Sequence, residues 1–128
     1  MVLIIGGKAQ GKLEYVKSVL GVSEEEVARD AAQARTARVF DGCSRWVRMC
    51  LQAGEDPDTL MDELLETNPD LVLLFDEVGC GVVPVDREER LWRERVGRMT
   101  CRLAQRAQRV ERVLCGLPMT LKGAGTWS

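Results

Sequence analysis

Short apolar runs along the chain predict its β-strands. Residues 2–5 are aliphatic and stop at two glycines, a pattern typical of a buried parallel strand that enters a tight loop. Residues 71–75 are apolar on both faces and predict the central strand of a parallel sheet. The stretches 37–41 and 113–115 predict two further strands.

Helical patterns separate these strands. Residues 12–20 and 44–53 each precede a glycine, and residues 57–66 start at a proline, so three helices are predicted there. The capping-box spacing of Ser23 and Glu26 predicts another helix from residue 24 to about 35. Apolar residues at helical spacing predict a helix of about six turns over 91–110: Leu91, Val96, Met99, Leu103, Ala107 and Val110.

The alternation of four strands with helices predicts an α/β fold in which helices flank a parallel sheet. With 128 residues, 45% of them hydrophobic and 30% charged, the sequence fits one compact domain over 1–128, of which 123–128 form a short tail. The apolar runs are much shorter than the roughly 20 residues of a membrane span. We therefore expect a cytoplasmic protein without a membrane span.

Two counts restrict the possible chemistry. The sequence has no histidine, which excludes Ser-His-Asp and Cys-His catalysis, histidine-ligated zinc and a nucleotidyl-histidine intermediate. Its five cysteines form no C-x-x-C pair, so they are predicted to be reduced thiols rather than zinc ligands or a disulfide framework.

Charge is distributed unevenly along the chain. Residues 1–85 carry a net charge of −7, whereas residues 86–112 carry nine arginines and five acidic side chains. Because glutamates are mixed with these arginines and the whole chain has a net charge of −2, the pattern favours a solvated helix face over a nucleic-acid site. No nucleic-acid partner is expected.

The residues after the first predicted strand carry the clearest chemical signal. They fit the pattern G-x-x-x-x-G-K, in which backbone amides, a helix N-terminus and a lysine converge on phosphate oxygens. Leu13 occupies the position where a serine or threonine normally donates its hydroxyl to Mg²⁺. The predicted nucleotide-binding residues are Gly6, Gly7, Lys8, Ala9, Gln10, Gly11, Lys12 and Leu13. A glycine-rich turn that binds nothing is the alternative.

Acidic residues follow two of the predicted strands. Asp41 and the pair Asp76 and Glu77 stand at carboxyl ends of strands, where ligands of open parallel sheets bind. We expect catalytic roles for Lys12 and these three acids, with Asp41 and Asp76 beside a phosphate-bound metal. Asp41 is equally well explained as the N-cap of the helix that follows.

Several motifs resemble the bifunctional adenosylcobinamide kinase/adenosylcobinamide-phosphate guanylyltransferase family. The family carries the patterns N-E-V-G-x-G-I-V-P, G-G-x-x-S-G-K-S, D-C-L-T-L-W and G-[IL]-P-x-x-[IL]-K. The corresponding stretches here are residues 76–84, 6–13, 41–46 and 116–122. An arginine-bearing helix that contains Gly97 and Arg98 extends the resemblance, which covers most of residues 1–20 and 37–122.

The resemblance implies a P-loop NTPase-like fold, GTP or ATP as the cofactor, a corrinoid acceptor, and a homo-oligomer, namely a trimer. The chain also departs from the family. Only 28 residues separate Lys12 from Asp41, and none of them is the histidine that the family guanylylates. Guanylyltransferase activity is therefore not expected, and Leu13 weakens the expected Mg²⁺ site. Two interpretations remain: a shortened kinase, or a non-catalytic paralogue that binds nucleotide or corrinoid or serves as a subunit of a cobalamin-assembly complex.

Overall fold

Six strands form one sheet in the computed structural model, which describes residues 1–78, 86–125 and 127. In chain order the strands are β1 (Val2–Gly6), β2 (Val27–Ala28), β3 (Val39–Phe40), β4 (Val72–Asp76), β5 (Arg109–Leu114) and β6 (Leu117–Lys122). The helices are α1 (Lys12–Leu20), α2 (Ala31–Ala34), α3 (Cys43–Gln52), α4 (Pro57–Thr67) and α5 (Arg87–Arg106).

The strand order, β2-β3-β4-β1-β5-β6, places β1 in the middle of the sheet. Strands β1 to β5 are parallel, whereas β6 pairs antiparallel with β5 and forms an edge. The carboxyl ends of β1, β3 and β4 therefore lie at the same edge of the sheet. The predicted α/β fold with a parallel sheet flanked by helices is confirmed, and β6 is an addition to it.

Helices cover both faces of the sheet because the central strands are apolar on both sides. On one face, Phe40, Leu73 and Phe75 belong to a buried cluster that includes residues of α3, α4 and α5. On the other face, Ile4 and Leu74 pack in a second cluster with Val16 of α1 and its neighbours. Trp46 of α3 packs edge-on against Phe40, with ring centroids 5.7 Å apart.

The predicted helix over residues 24–35 is wrong. The capping box of Ser23 and Glu26 is present, but it starts only a 3-10 turn, Glu24–Glu26. The next two residues are buried and pair with Val39 and Phe40 of β3, so they form a strand instead. Burial against a neighbouring strand outweighs the weak helix preference of these few residues.

The long helix ends before the predicted boundary at residue 110. It begins at Arg87, after the N-cap Asp86, and stops at Arg106. Val110 lies in β5 and pairs with Leu3 of β1, so its apolar character reflects burial on the sheet rather than helical periodicity. The predicted strand 113–115 correspondingly begins at residue 109. The predicted loop 79–84 lies outside the described residues.

Arginines of α5 pair with acidic residues of α4 and with its N-cap residue, Asp56. Arg95 contacts Asp56 at 2.8 Å, and both Arg102 and Arg106 contact Asp62, at 3.1 and 2.8 Å. The positive charge of this helix is thus largely matched by acids within the chain. Among the described helices, none combines the length and the apolar character needed to cross a bilayer.

Residues 124, 125 and 127 are bonded to the sheet and to α1 around a buried ion pair. Arg109 contacts Glu111 at 2.7 Å and donates to the main-chain oxygens of Ala124 and Gly125 at 2.9 and 2.6 Å. Tyr15 of α1 donates its hydroxyl hydrogen to Glu111, and the indole N–H of Trp127 lies 3.1 Å from that hydroxyl oxygen. These bonds join α1 and β5 to residues 124, 125 and 127.

Candidate functional site

The glycine-rich loop connects β1 directly to α1, as the motif predicts. Ala9 and Gly11 have φ angles of 61° and 88°, and this left-handed backbone turns the chain into the helix. Gly11 is the N-cap of α1 and provides no side-chain cap for the helix amides. Within the described part of the chain, the N–H groups of residues 8–11 donate no hydrogen bond. Such amides next to a helix N-terminus suit an anion.

Lys12 is buried, with only 6% of its surface exposed, and its ammonium group is enclosed by oxygens. It donates to the main-chain oxygens of Gly6 and Gly7 at 3.1 and 2.8 Å, and to Oδ1 of Asp76 at 2.6 Å. An ammonium group has three N–H donors. All three donors of Lys12 are therefore used within the protein.

Asp76 is held at the end of β4 from a second side. The hydroxyl of Ser44 in α3 donates to its main-chain oxygen at 2.9 Å, and the indole of Trp92 in α5 donates to the main-chain oxygen of Ser44 at 2.7 Å. Two helices thereby fix the strand end that carries the carboxylate.

Asp41 follows β3 and accepts two hydrogen bonds. Its Oδ1 accepts from the N–H of Gly42 at 2.9 Å, and its Oδ2 accepts from the Arg29 guanidinium at 2.7 Å. The N-cap of α3 is Gly42, not Asp41, and this cap has no side-chain hydrogen bond to the helix. The interpretation of Asp41 as the helix cap is therefore wrong.

A groove of about 330 Å³ brings most of the predicted site residues together. Lys12, Asp41 and Asp76 line it, because β1, β3 and β4 end at the same edge of the sheet. Two residues that the sequence analysis did not single out, Arg29 and Arg45, also line this groove. The full lining is Ala9, Gln10, Gly11, Lys12, Leu13, Glu14, Arg29, Asp41, Gly42, Arg45 and Asp76.

Glu77 is not among these lining residues. Its two carboxylate oxygens lie 2.8 and 3.0 Å from Nε and Nη2 of Arg112 in β5. Its main-chain N–H donates to the oxygen of Gly6 at 2.8 Å. The structure therefore gives Glu77 a role in joining the ends of β1, β4 and β5, beside the groove rather than in it. Lys8, another predicted binding residue, is exposed at the loop surface.

The turn between β5 and β6 supports the loop from outside. Gln10 accepts from the N–H of Gly116 through its main-chain oxygen at 2.8 Å and from the N–H of Cys115 through Oε1 at 2.7 Å. Cys115 and Gly116 both have positive φ, 52° and 75°, as in a type I′ hairpin turn. A Cβ on Gly11 would come within 3.2 Å of Gly116 Cα. The sequence motif contained no signal for this contact.

The donor atoms suit a polyphosphate better than a metal ion. Leu13 is half-buried against the apolar cluster of α1, and its hydrocarbon side chain has no atom that could bind a cation. Asp41 and Asp76 each already neutralise a basic side chain. Among the described residues, no group of three His, Cys, Asp or Glu side chains could hold a metal. The residues present do not by themselves form a Mg²⁺ site.

Comparison with known proteins identifies relatives of this chain. The family model described as cobinamide kinase / cobinamide phosphate guanyltransferase matches residues 22–121. The chain is 33% identical over 102 residues to the bifunctional adenosylcobalamin biosynthesis protein CobP of Pseudomonas aeruginosa. That alignment covers 74% of this chain and 58% of the relative, so the chain spans little more than half of that protein. Residues 6–13 precede the family match, and their assignment rests on motif and geometry.

Proposed function

Since the chain belongs to the cobinamide kinase / cobinamide phosphate guanyltransferase family, we propose that it is a nucleotide-binding, kinase-like protein of cobalamin biosynthesis. In this proposal, residues 6–13 bind the phosphates of GTP or ATP. The terminal phosphoryl group passes to a hydroxyl of a corrinoid related to adenosylcobinamide. The bond between the γ-phosphorus and the β–γ bridging oxygen breaks, GDP or ADP leaves, and the hydroxyl proton is released to solvent.

The observation that carries the proposal is the shared groove of Lys12, Asp41 and Asp76. The motif alone predicts a lysine beside the loop. The fold also places the carboxylates of Asp41 and Asp76, at the ends of neighbouring strands, in the same groove. Phosphoryl transfer needs mainly positioning and charge stabilisation, and it does not need a histidine.

The proposal assigns a role to each group of the groove. The N–H groups of residues 8–11 bind phosphate oxygens, and Lys12 contributes a positive charge once phosphate competes with its present acceptors. Asp41 or Asp76 accepts a hydrogen bond from the acceptor hydroxyl and so orients it for attack. When bound with the nucleotide, Mg²⁺ would supply further charge stabilisation, but the chain provides it only two carboxylates that are already paired.

Guanylyl transfer through histidine is not part of the proposal. The sequence contains no histidine to carry the nucleotide. Incubation with labelled GTP is expected to leave no covalent adduct on the protein, and a stable GMP adduct on any side chain would contradict this part of the proposal.

A non-catalytic protein that binds nucleotide or corrinoid is the second candidate. It is favoured by Lys12, whose three donors are already bonded within the protein, and by Leu13, which has no hydroxyl to bind a metal ion. Both features leave less positive charge available to a transferring phosphoryl group. Such a protein would bind the nucleotide or corrinoid without transferring a phosphoryl group.

Calorimetric titration with GTP and ATP, each with and without Mg²⁺, tests binding first. We expect Lys12→Met to weaken nucleotide binding about 10- to 100-fold, which corresponds to the loss of a hydrogen bond from a charged group. Lys17→Met is the matched control, because Lys17 lies on the same helix but pairs with the exposed Glu24 outside the groove. Equal nucleotide affinity of both variants and the wild-type protein would refute the proposed site.

A turnover assay with adenosylcobinamide then separates the two candidates. Phosphate transfer that is lost in Lys12→Met supports the kinase. Nucleotide binding without transfer supports the binding protein.

We also propose that the chain forms a homo-oligomer, in accord with the trimer that the resemblance implies. Support comes from large aliphatic side chains of the β5–β6 hairpin that are more than half exposed: Leu114, Leu117, Met119 and Leu121. Exposed apolar patches of this kind mark contact surfaces. Sedimentation analysis should show a species larger than a monomer that Leu117→Asp dissociates; a monomeric wild-type protein would contradict the proposal.

A further inference from the structure

The charged side chains of the groove are not all paired. Lys12 pairs with Asp76 at 2.6 Å, and Arg29 pairs with Asp41 at 2.7 Å, so these four charges cancel. Arg45 and Glu14 also line the groove, and neither makes an ion pair or side-chain hydrogen bond with the described residues. Arg45 is thus the one basic group of the groove, within the described part of the chain, that has no acidic partner.

The backbone beside Arg45 makes room for its guanidinium group. Gly42 has a φ of 76°, and a Cβ at this position would come within 3.0 Å of Nη2 of Arg45. Because Arg45 lies in the first turn of α3, it projects at the carboxyl-end edge of the sheet, where the phosphate loop also lies. In the pattern D-C-L-T-L-W, leucine stands at the position of Arg45 and cysteine at that of Gly42. Both substitutions are therefore departures from this pattern.

The geometry points to Arg45 as a residue that binds the terminal phosphate of a bound polyphosphate chain, and this inference rests on the proposed nucleotide site. A guanidinium group is planar and binds two phosphate oxygens at once, with a charge that persists at any physiological pH. Leu13 provides no hydroxyl for a metal, and all three N–H donors of Lys12 are bonded to oxygens of the protein. Among the described residues, Arg45 is the unpaired basic side chain of the groove that can neutralise the terminal phosphate of the ligand.

The ligand class follows from this placement. The phosphate loop follows β1 and Arg45 follows β3, and these strands are two positions apart in the sheet, or about 10 Å. A phosphate held by the loop amides therefore needs a further linked phosphate to extend across the groove to Arg45. We therefore expect Arg45 to favour compounds with two or more linked phosphates over orthophosphate. This selectivity does not depend on which base the nucleotide carries.

Titration calorimetry with inorganic tripolyphosphate and with orthophosphate, both in EDTA, tests the assignment. Arg45→Leu should weaken the binding of tripolyphosphate at least about tenfold and the binding of orthophosphate less than about threefold. The reason is that only the longer anion is expected to reach the guanidinium group from the loop. Arg45→Lys should give an intermediate loss, since a lysine keeps the charge but not the fork of donors. Arg98→Leu makes the same change of charge on α5, outside the groove lining, and should bind as the wild-type protein does.

The outcomes distinguish a failure of the Arg45 assignment from a failure of the proposed nucleotide site. If Arg45→Leu binds tripolyphosphate as tightly as the wild-type protein while Lys12→Met loses it, the assignment of Arg45 is wrong and the phosphate loop stands. If the wild-type protein binds neither anion, the proposed nucleotide site fails and Arg45 fails with it. Circular dichroism of each variant checks that the fold is intact. An intact fold is expected for the Arg45 variants because the side chain is exposed.

Discussion

The ammonium nitrogen of Lys12 lies 2.6 Å from Oδ1 of Asp76, although the two residues are separated by 64 positions in the sequence. The bond joins the end of β4 to the start of α1. It also sets the resting state of the site, because a phosphate that reaches Lys12 must compete with a carboxylate at contact distance. The binding properties of the loop therefore depend on Asp76 as much as on its glycines.

Replacing Asp76 with asparagine should tighten anion binding. The variant removes a negative charge beside the phosphate site and leaves Lys12 with neutral acceptors, so the affinity for tripolyphosphate should rise about tenfold. Asp70→Asn, an exposed acid before β4 and outside the groove lining, is the control for net charge. Calorimetry checks both variants. Unchanged affinity in Asp76→Asn would show that the carboxylate of Asp76 does not compete with phosphate for Lys12.

Replacing Leu13 with serine should create a response to Mg²⁺. The new hydroxyl would stand beside a groove that already holds Asp41 and Asp76, so nucleotide affinity should improve about tenfold on adding Mg²⁺. Leu13 is half-buried, so the substitution should also cost about 1 to 2 kcal/mol of unfolding free energy.

Leu13→Ala is the matched control for that experiment. It loses the same apolar contact without gaining a hydroxyl, and its nucleotide affinity should stay as insensitive to Mg²⁺ as that of the wild-type protein. An equal Mg²⁺ response in both variants would mean that the hydroxyl is not the ligand.

Replacing Gln10 with alanine should loosen the phosphate loop. The variant removes the bond from the N–H of Cys115 to Oε1, which measures 2.7 Å, and keeps the main-chain bond to Gly116. Loss of one neutral hydrogen bond, worth about 1 kcal/mol, should reduce nucleotide affinity about three- to tenfold. Gln105→Ala on the exposed surface of α5 should have no effect. Full affinity in Gln10→Ala would show that the hairpin turn does not support the loop.

The single tyrosine of the chain, Tyr15, reports on the contact of α1 with Glu111 and Trp127. Burial raises the pKa of Tyr15 above 10.0, and the hydrogen bond to Glu111 raises this pKa further. Since the pKa is higher in the folded protein, the resulting stabilisation is complete below pH 10 and is lost as the pH rises through the folded-state value. A titration of tyrosinate absorbance should give a higher midpoint for the folded than for the denatured protein.

Tyr15→Phe is the control for this titration and should remove the absorbance change entirely. It should also abolish the part of the alkaline destabilisation that arises from Tyr15. A folded-state midpoint at or below that of the denatured chain would contradict the contact with Glu111.

Much of the fold follows from local patterns. The apolar runs at the positions of β1 and β4, and the helix signals of α1, α3 and α4, predicted these elements to within about two residues of their observed ends. These segments are long or strongly periodic, and their local preference agrees with their burial. Where local preference was weak, as in residues 24–35, pairing with β3 decided the structure.

The sequence by itself determined the type of loop, the absence of histidine chemistry and the acids at strand ends, because each depends only on residue identity and on short spacing. The tertiary structure alone decided which charges meet. It turned Glu77 toward Arg112, placed Arg29 on Asp41, and brought the turn at Cys115 to Gln10. Such contacts join residues far apart in the chain, and their geometry arises only when the strands align and the helices pack across the sheet.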